Sequence, residues 1–206
     1  MTVKTPVDLW FDPFCPYAWI TSRWLIEVEK VRPIEIRWNI MSLNVLNEDK
    51  EVPQEYRDMI ALAIEPVRVA AAAEEQAGQA GLAAFYTEFG TRWHNQRRNA
   101  DRAGLPAVLE EALEAAGLDP ALAGAAKEER HDEKIRKSHF DGIERVGQEV
   151  GTPVIAVDGT AFFGPVITRI IRGEDAGRLW DGVLTVSSFE HFYELKRSRT
   201  TEPDFS

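Results

Sequence analysis

Apolar and polar residues alternate along Ile34-Glu35-Ile36-Arg37-Trp38-Asn39-Ile40, and a period of two predicts a strand with one buried face. Upstream, Val7-Asp8-Leu9-Trp10-Phe11 reads as a first strand, with Asp12-Pro13 as its break. Between the two the period changes. Trp19, Ile20, Trp24, Leu25 and Val28 recur at three- and four-residue spacing, so a helix runs from Pro16 to about Lys30 with an apolar stripe for a sheet. Arg32-Pro33 ends it. Strand, helix and strand in this order make a right-handed crossover with a parallel pair.

From about Pro53 to Val150 no strand pattern stands out, and alanine, glutamate and leucine dominate. Breaks fall at Pro66, Gly78, Gly90, Gly104-Leu105-Pro106 and Gly117-Leu118-Asp119-Pro120. Asp119 before Pro120 is a helix start, an N-cap followed by a residue whose missing N–H does no harm. The last helix of this stretch runs from about Asp132 to Val150, with Ile135, Phe140, Ile143, Val146 and Val150 on one side. Four or five helices are expected, as a bundle inserted into the fold. Strand character returns at Pro153–Val157, Asp158-Gly159 signals a hairpin, and Thr160–Gly164 is the return strand. Helices are expected around Glu174–Gly182 and Ser188–Lys196, then an extended, loosely held Thr200–Ser206.

The chain of 206 residues suffices for one core, or one domain with a large insertion. With 44% hydrophobic and 28% charged residues it reads as an ordinary soluble protein. A net charge of -10 argues against nucleic acid and against an acidic membrane surface as partners. The basic run Lys196-Arg197-Ser198-Arg199 reads as a solvated helix end. No apolar stretch approaches the roughly 18 residues that span a bilayer. Met1–Pro6 lacks a basic region followed by an apolar core, so a cytoplasmic location is expected. The four histidines, His94, His131, His139 and His191, are scattered, and one cysteine offers no zinc spacing, so no metal is expected.

That cysteine, Cys15, lies in Phe11-Asp12-Pro13-Phe14-Cys15-Pro16-Tyr17-Ala18-Trp19, at a strand-to-helix turn with Pro16 at the first helical position. Backbone N–H groups and the helix dipole then favour a thiolate. A helix N-terminus contributes about 0.3–1 kcal/mol to a nearby anion, and up to about 2 in partly buried sites. At about 1.36 kcal/mol per pKa unit, a thiol near 8.5 falls by up to about 1.5 units. Cys15 is therefore expected to be mostly thiolate at neutral pH; the bland alternative is a buried, inert cysteine.

Cys15-Pro16-Tyr17 and Gly151-Thr152-Pro153 resemble the thioredoxin superfamily, and the helical insertion resembles its DsbA-like branch, which also holds kappa-class glutathione transferases and hydroxychromene-carboxylate isomerases. Trp10–Pro13, Trp19–Trp24, Met41-Ser42-Leu43, Leu46-Asn47-Glu48, Pro66–Ala70, His94-Asn95-Gln96, Arg136–His139, Phe162–Pro165 and Glu194–Arg197 are similar to the mycothiol-dependent nitroreductase family of actinobacteria. The departure is Ala18, where a redox pair keeps its second cysteine.

The resemblance implies an α/β, thioredoxin-like fold with a large all-α insertion between the second and third strands. Residues 1–50 and 151–206 would form the thioredoxin-like unit and 51–150 the helical subdomain. It implies Cys15 as nucleophile beside Pro16 and Tyr17, and a cis Pro153 that turns the Thr152 backbone toward the sulfur. Asn47 and Tyr56 would line a pocket between the lobes, His94 and Asn95 could reach the same cleft, and Trp19 is as readily core as substrate wall. With no second thiol, a mixed disulfide on Cys15 must be resolved by an external thiol, here mycothiol. The expected function is a monothiol oxidoreductase that reduces mixed disulfides or electrophilic and nitroaromatic small molecules, as a monomer or homodimer. A kappa-like thiol transferase or isomerase, and a redox-inactive ligand-binding protein, stand as alternatives.

Overall fold

The computed structural model describes residues 4–206; Met1–Val3, part of the stretch read above for a leader, lie outside the described residues. Strand β1 (Thr5–Phe11) pairs in parallel with β2 (Ile34–Ile40) across helix α1 (Pro16–Glu29). Strands β3 (Val154–Val157) and β4 (Thr160–Phe163) extend the sheet antiparallel, giving the order β2-β1-β3-β4. In β2 the period-two pattern is kept, with Ile34, Ile36, Trp38 and Ile40 buried and Glu35 and Arg37 exposed. Central β1 buries Leu9, Trp10 and Phe11 in succession because both sheet faces are covered. Asp158 and Gly159 both take positive φ, 50° and 86°, as a tight hairpin turn requires.

One face packs on α1 and α6 (Gly173–Ser187), where the Trp24 indole N–H donates to the Ala176 carbonyl at 3.2 Å. The other face meets α5 (Asp132–Ile143), whose Gly142 lies so close to Trp10 that an added Cβ would sit 2.6 Å from the indole. Between β2 and β3 the chain is helical: α2 (Leu43–Leu46), α3 (Gln54–Gly90), α4 (Leu105–Ala115), a 3-10 turn at Pro120–Lys127, and α5. Asp119 caps that 3-10 turn as its sequence predicts.

Of the breaks expected within α3, only Gly78 interrupts it, with φ 63°. Its neighbour Gln79 then reaches the open edge of β2, accepting from Trp38 N at 2.7 Å and donating to Trp38 O at 2.8 Å. One side chain thus covers part of an otherwise unpaired edge. Pro66 stays inside α3 as a buried residue, since proline removes one helical bond and burial of the long apolar face outweighs it. At Gly90 α3 ends and a π-helix, Thr91–Asn95, begins; Gly90 is also a place of close approach, where an added Cβ would lie 2.3 Å from the Trp19 ring.

Downstream the sequence reading needs three corrections. Helix α5 stops at Ile143, well before Val150, and Gly147 follows at φ 92°; Phe140, assigned to the apolar side, is 36% exposed. No helix forms at Ser188–Lys196, so Lys196–Arg199 is not a helix end. Phe189, Tyr193 and Leu195 there are 63%, 80% and 86% exposed, and a short helix without a face to bury does not hold. Thr200–Ser206 is pinned instead of loose, with Asp204 N donating to Thr168 O at 2.7 Å and Asn95 Nδ2 to Phe205 O at 2.8 Å. Among the described residues no helix is long and apolar enough to cross a membrane.

Glycine to alanine inside a helix ordinarily gains about 0.5–1 kcal/mol. At Gly90 the sign should reverse: Gly90→Ala should cost about 1–3 kcal/mol by overpacking against Trp19. Urea unfolding measures this, and a midpoint that rises would refute the packing described.

Candidate active site

Cys15 is the N-cap of α1, with φ -77° and ψ 115°, and Pro16 follows in the first turn. The Ala18 N–H donates to Sγ at 3.4 Å, and the thiol donates to the Thr152 carbonyl at 3.4 Å. The Thr152–Pro153 peptide is cis. Two segments far apart in sequence, the start of α1 and the lead-in to β3, therefore meet at one sulfur, which is 6% exposed. Thr152 Oγ1 is buried beside it with no hydrogen-bond partner.

Asp12, read from the sequence only as a strand break, organises this turn. Its carboxylate is fully buried, accepting from Phe14 N at 2.8 Å through one oxygen and from Leu43 N at 2.7 Å through the other. Its own carbonyl accepts from Cys15 N at 3.0 Å. Burial raises its pKa to about 7 against the lowering effect of the Leu43 and Phe14 bonds. The Asp-Pro pair three residues before the cysteine could have suggested a side-chain-capped turn. Nothing local could have disclosed the second N–H, from Leu43.

The expectation of a thiolate at neutral pH does not hold. Burial pushes the Cys15 thiol up; contacts from Thr152 and the Ala18 N–H pull it down by less, and the Asp12 charge adds to the rise. The physical reason is one of scale. A helix terminus offers at most about 2 kcal/mol to an anion, whereas taking a charge out of water costs several. The resting group is a protonated thiol held against a carbonyl.

Asn47, at the end of α2, and Tyr56, in the first turn of α3, lie beside each other. Asn47 is nearly buried and donates to Leu43 O at 2.8 Å. The half-buried Tyr56 has its phenol pKa raised by burial and then by the charges of Cys15 and Asp12, and lowered by a hydrogen bond with Asn47. Tyr17 is half-buried on the first turn of α1, with the Arg199 guanidinium 4.7 Å above its ring.

Trp19, His94 and Asn95 form a different cluster. Trp19 is 1% exposed, a core residue whose indole N–H donates to Asn95 Oδ1 at 2.8 Å. His94 is 1% exposed, with Nε2 on the Pro13 carbonyl at 2.9 Å. Both ends of the Asn95 amide are engaged, the second by Phe205. His94 meets the Cys15 turn at the Pro13 carbonyl, and the space expected at His94 and Asn95 is filled by the chain's own Phe205. The burial of His131 and His139 is structural: His139 Nδ1 accepts from Ser42 N at 3.4 Å and His131 Nδ1 lies 3.3 Å from Glu75.

A thioredoxin-like sheet, a cysteine at the first helix N-terminus, a facing Thr-Pro and a helical insertion define a thiol oxidoreductase of DsbA-like architecture. Residues 14–197 match the family model described as Rv2466c-like, mycothiol-dependent nitroreductase Rv2466c, and the chain belongs to that family. It is 30% identical over 200 residues to the uncharacterized protein Rv2286c of Mycobacterium tuberculosis, covering 95% of this chain and 83% of that one. Its fold is similar to a probable DsbA oxidoreductase from Streptomyces coelicolor (TM-score 0.56, 16% identity, 95% and 94% of the two chains covered). It is similar also to the cytosolic disulfide reductase DsbM from Pseudomonas aeruginosa (TM-score 0.53, 20% identity, 87% and 98% covered).

The buried imidazole of His94 gives a pH signature. Burial lowers its pKa from 6.5 to about 4, so the unfolded chain binds the extra proton first. Its contribution, up to about 3 kcal/mol, is present above pH about 6.5 and lost as pH falls through about 4. Asp12 works in the opposite sense, its raised pKa costing stability as pH rises from about 4 to about 7. His94→Gln should therefore flatten the acid limb of stability against pH in denaturant titrations. An unchanged limb would contradict a neutral, buried His94.

Proposed function

We propose that this protein is a monothiol oxidoreductase in which Cys15 exchanges with mycothiol, reducing mixed disulfides or electrophilic and nitroaromatic small molecules. The observation that carries the reading is the position of the chain's one sulfur nucleophile, at the N-cap of α1 opposite Thr152. On attack, the Cys15 thiol loses its proton and forms a bond to the mycothiol sulfur of a mycothiol-containing mixed disulfide. The substrate's S–S bond breaks, and the leaving sulfur takes the pair of electrons and a proton. A second mycothiol then attacks the mixed disulfide, yielding mycothiol disulfide and restoring the Cys15 thiol. Reduction of a nitro group to nitroso needs two electrons and two protons and releases water; two mycothiols supply them by becoming one disulfide.

The residues have separable tasks in this scheme. The Ala18 N–H receives the sulfur as charge develops on it. The unpartnered Thr152 hydroxyl and the Thr152 carbonyl offer hydrogen bonds to a bound thiol, as an added strand would use them. Asn47 and Tyr56 wall the substrate side, and Tyr17 the rim. Mycothiol would come to this site as a substrate that binds and leaves, as the family's name suggests. A lone cysteine suits a reducing, cytoplasmic setting, and the net charge of -10 suits neither nucleic acid nor an acidic membrane as partner. The resting thiol, protonated and donating to Thr152, also favours a second reading: a kappa-like transferase or isomerase that activates a bound thiol without covalent exchange.

Intact-mass spectrometry after oxidised mycothiol separates the two. We expect one adduct on Cys15, released by free mycothiol, and a Cys15→Ser variant with neither adduct nor turnover. Turnover retained without an adduct, or retained in Cys15→Ser, would defeat the exchange reading and favour the transferase.

A further inference from the structure

Residues 189–199, which follow α6, lie in neither helix nor strand, yet the run is docked at both ends. Phe192 packs on Phe162 of β4, with ring centroids 5.9 Å apart, and Arg199 lies over the Tyr17 ring at 4.7 Å. Just beyond, the Thr201 hydroxyl meets that of Thr168 at 2.9 Å. Between these anchors the backbone is free. Among the described residues, no N–H or carbonyl of residues 193–199 takes part in a backbone hydrogen bond. A stretch held in place with its backbone groups unpaired offers what an uncovered sheet edge offers, a template for another chain.

The side chains point the same way. Among the described residues five large hydrophobic side chains are exposed, and three of them, Phe189, Tyr193 and Leu195, fall in this one run. Single exposed apolar residues are ordinary on a monomer, whereas a cluster marks a contact surface. Charge surrounds Leu195 in a fixed order, with Glu190 and Glu194 before it and Lys196 and Arg197 after it. All four are exposed and enter no ion pair among the described residues. Acid first and base last is a self-complementary pattern when two such runs lie antiparallel, and an isologous interface requires self-complementarity. A two-fold axis at Leu195 sets Glu194 opposite the partner's Lys196. It also sets Tyr193 opposite the partner's Arg197, a cation and an aromatic ring as already paired in Arg199 and Tyr17.

We infer that residues 193–199 are an interface for a second copy of this chain, which pairs with the first antiparallel about a two-fold axis at Leu195. The inference is independent of the thiol chemistry proposed above. Tyr193 and Leu195 supply the attraction, because exposed ion pairs are individually worth little in water. The Glu194–Lys196 pair, made twice by symmetry, fixes direction and register, since the parallel arrangement would set like charges against each other. An acidic membrane is the poorer occupant. The two glutamates interrupt the run, and the chain carries a net charge of -10. A run of this length buries less than a standard interface, so monomer and dimer should exchange at micromolar and higher concentrations.

Sedimentation velocity of the full chain, from micromolar to near-millimolar concentration, reads the association. The unaltered protein should pass from monomer towards dimer, and Leu195→Asp should stay monomeric throughout. Glu194→Lys and Lys196→Glu should each weaken association about ten-fold, because each sets like charges opposite one another at two symmetric places. The variant carrying both exchanges should regain it, since position 194 then again faces an opposite charge at 196 of its partner. That rescue is specific to antiparallel self-pairing. A monomer at every concentration overturns the inference, and so does a dimer that survives Leu195→Asp or shows no rescue by the double exchange. A monomer that instead sediments with phosphatidylglycerol vesicles, and ceases to do so in Leu195→Asp, makes the run a membrane contact and overturns it too.

Discussion

Asp12 is the constraint from which the site follows. A single buried carboxylate bonds the N–H of Phe14, in the turn that presents Cys15, and the N–H of Leu43, at the start of the loop that carries Asn47. Those loops leave adjacent parallel strands, and the carboxylate sets the spacing between their ends. The sulfur is then held against the Thr152 carbonyl at 3.4 Å. The arrangement has a cost. A carboxylate removed from water resists ionisation, and whatever charge it carries opposes a thiolate close by.

This changes the chemical character of a helix-capping cysteine. The dipole and the Ala18 N–H favour the anion, but burial wins, and the free protein keeps a protonated thiol. Such a thiol is a poor target for chance oxidants, because susceptibility follows thiolate character and exposure. That property suits a chain with no second cysteine to rescue its first.

Much of the architecture was legible because each segment had one dominant local signal. The period-two run Ile34–Ile40, the Asp158-Gly159 turn and the stripe from Trp19 to Val28 correspond to β2, the β3–β4 hairpin and α1. Glycine and proline were less reliable, because their role depends on neighbours absent from the local sequence. Gly90 is there for Trp19, Pro66 is carried by burial, and only Gly78 takes a backbone angle that interrupts α3. The site divided the same way. Cys15 at a helix start could be read locally. The Asp12–Leu43 bond, the closure of His94 under Phe205 and the docking of Arg199 on Tyr17 join residues 31 to 182 positions apart and leave no trace in periodicity.

The balance between burial and helix N-terminus at Cys15 is the claim on which the chemistry turns, and its pKa measures that balance directly. Cys15 is the chain's one thiol, so the pH dependence of its alkylation, followed by intact mass, reports on it alone. The account predicts a midpoint above the ordinary thiol value of about 8.5, and a lower midpoint in Asp12→Asn. A midpoint at or below about 7 in the unaltered protein would contradict it, because the helix terminus would then outweigh burial.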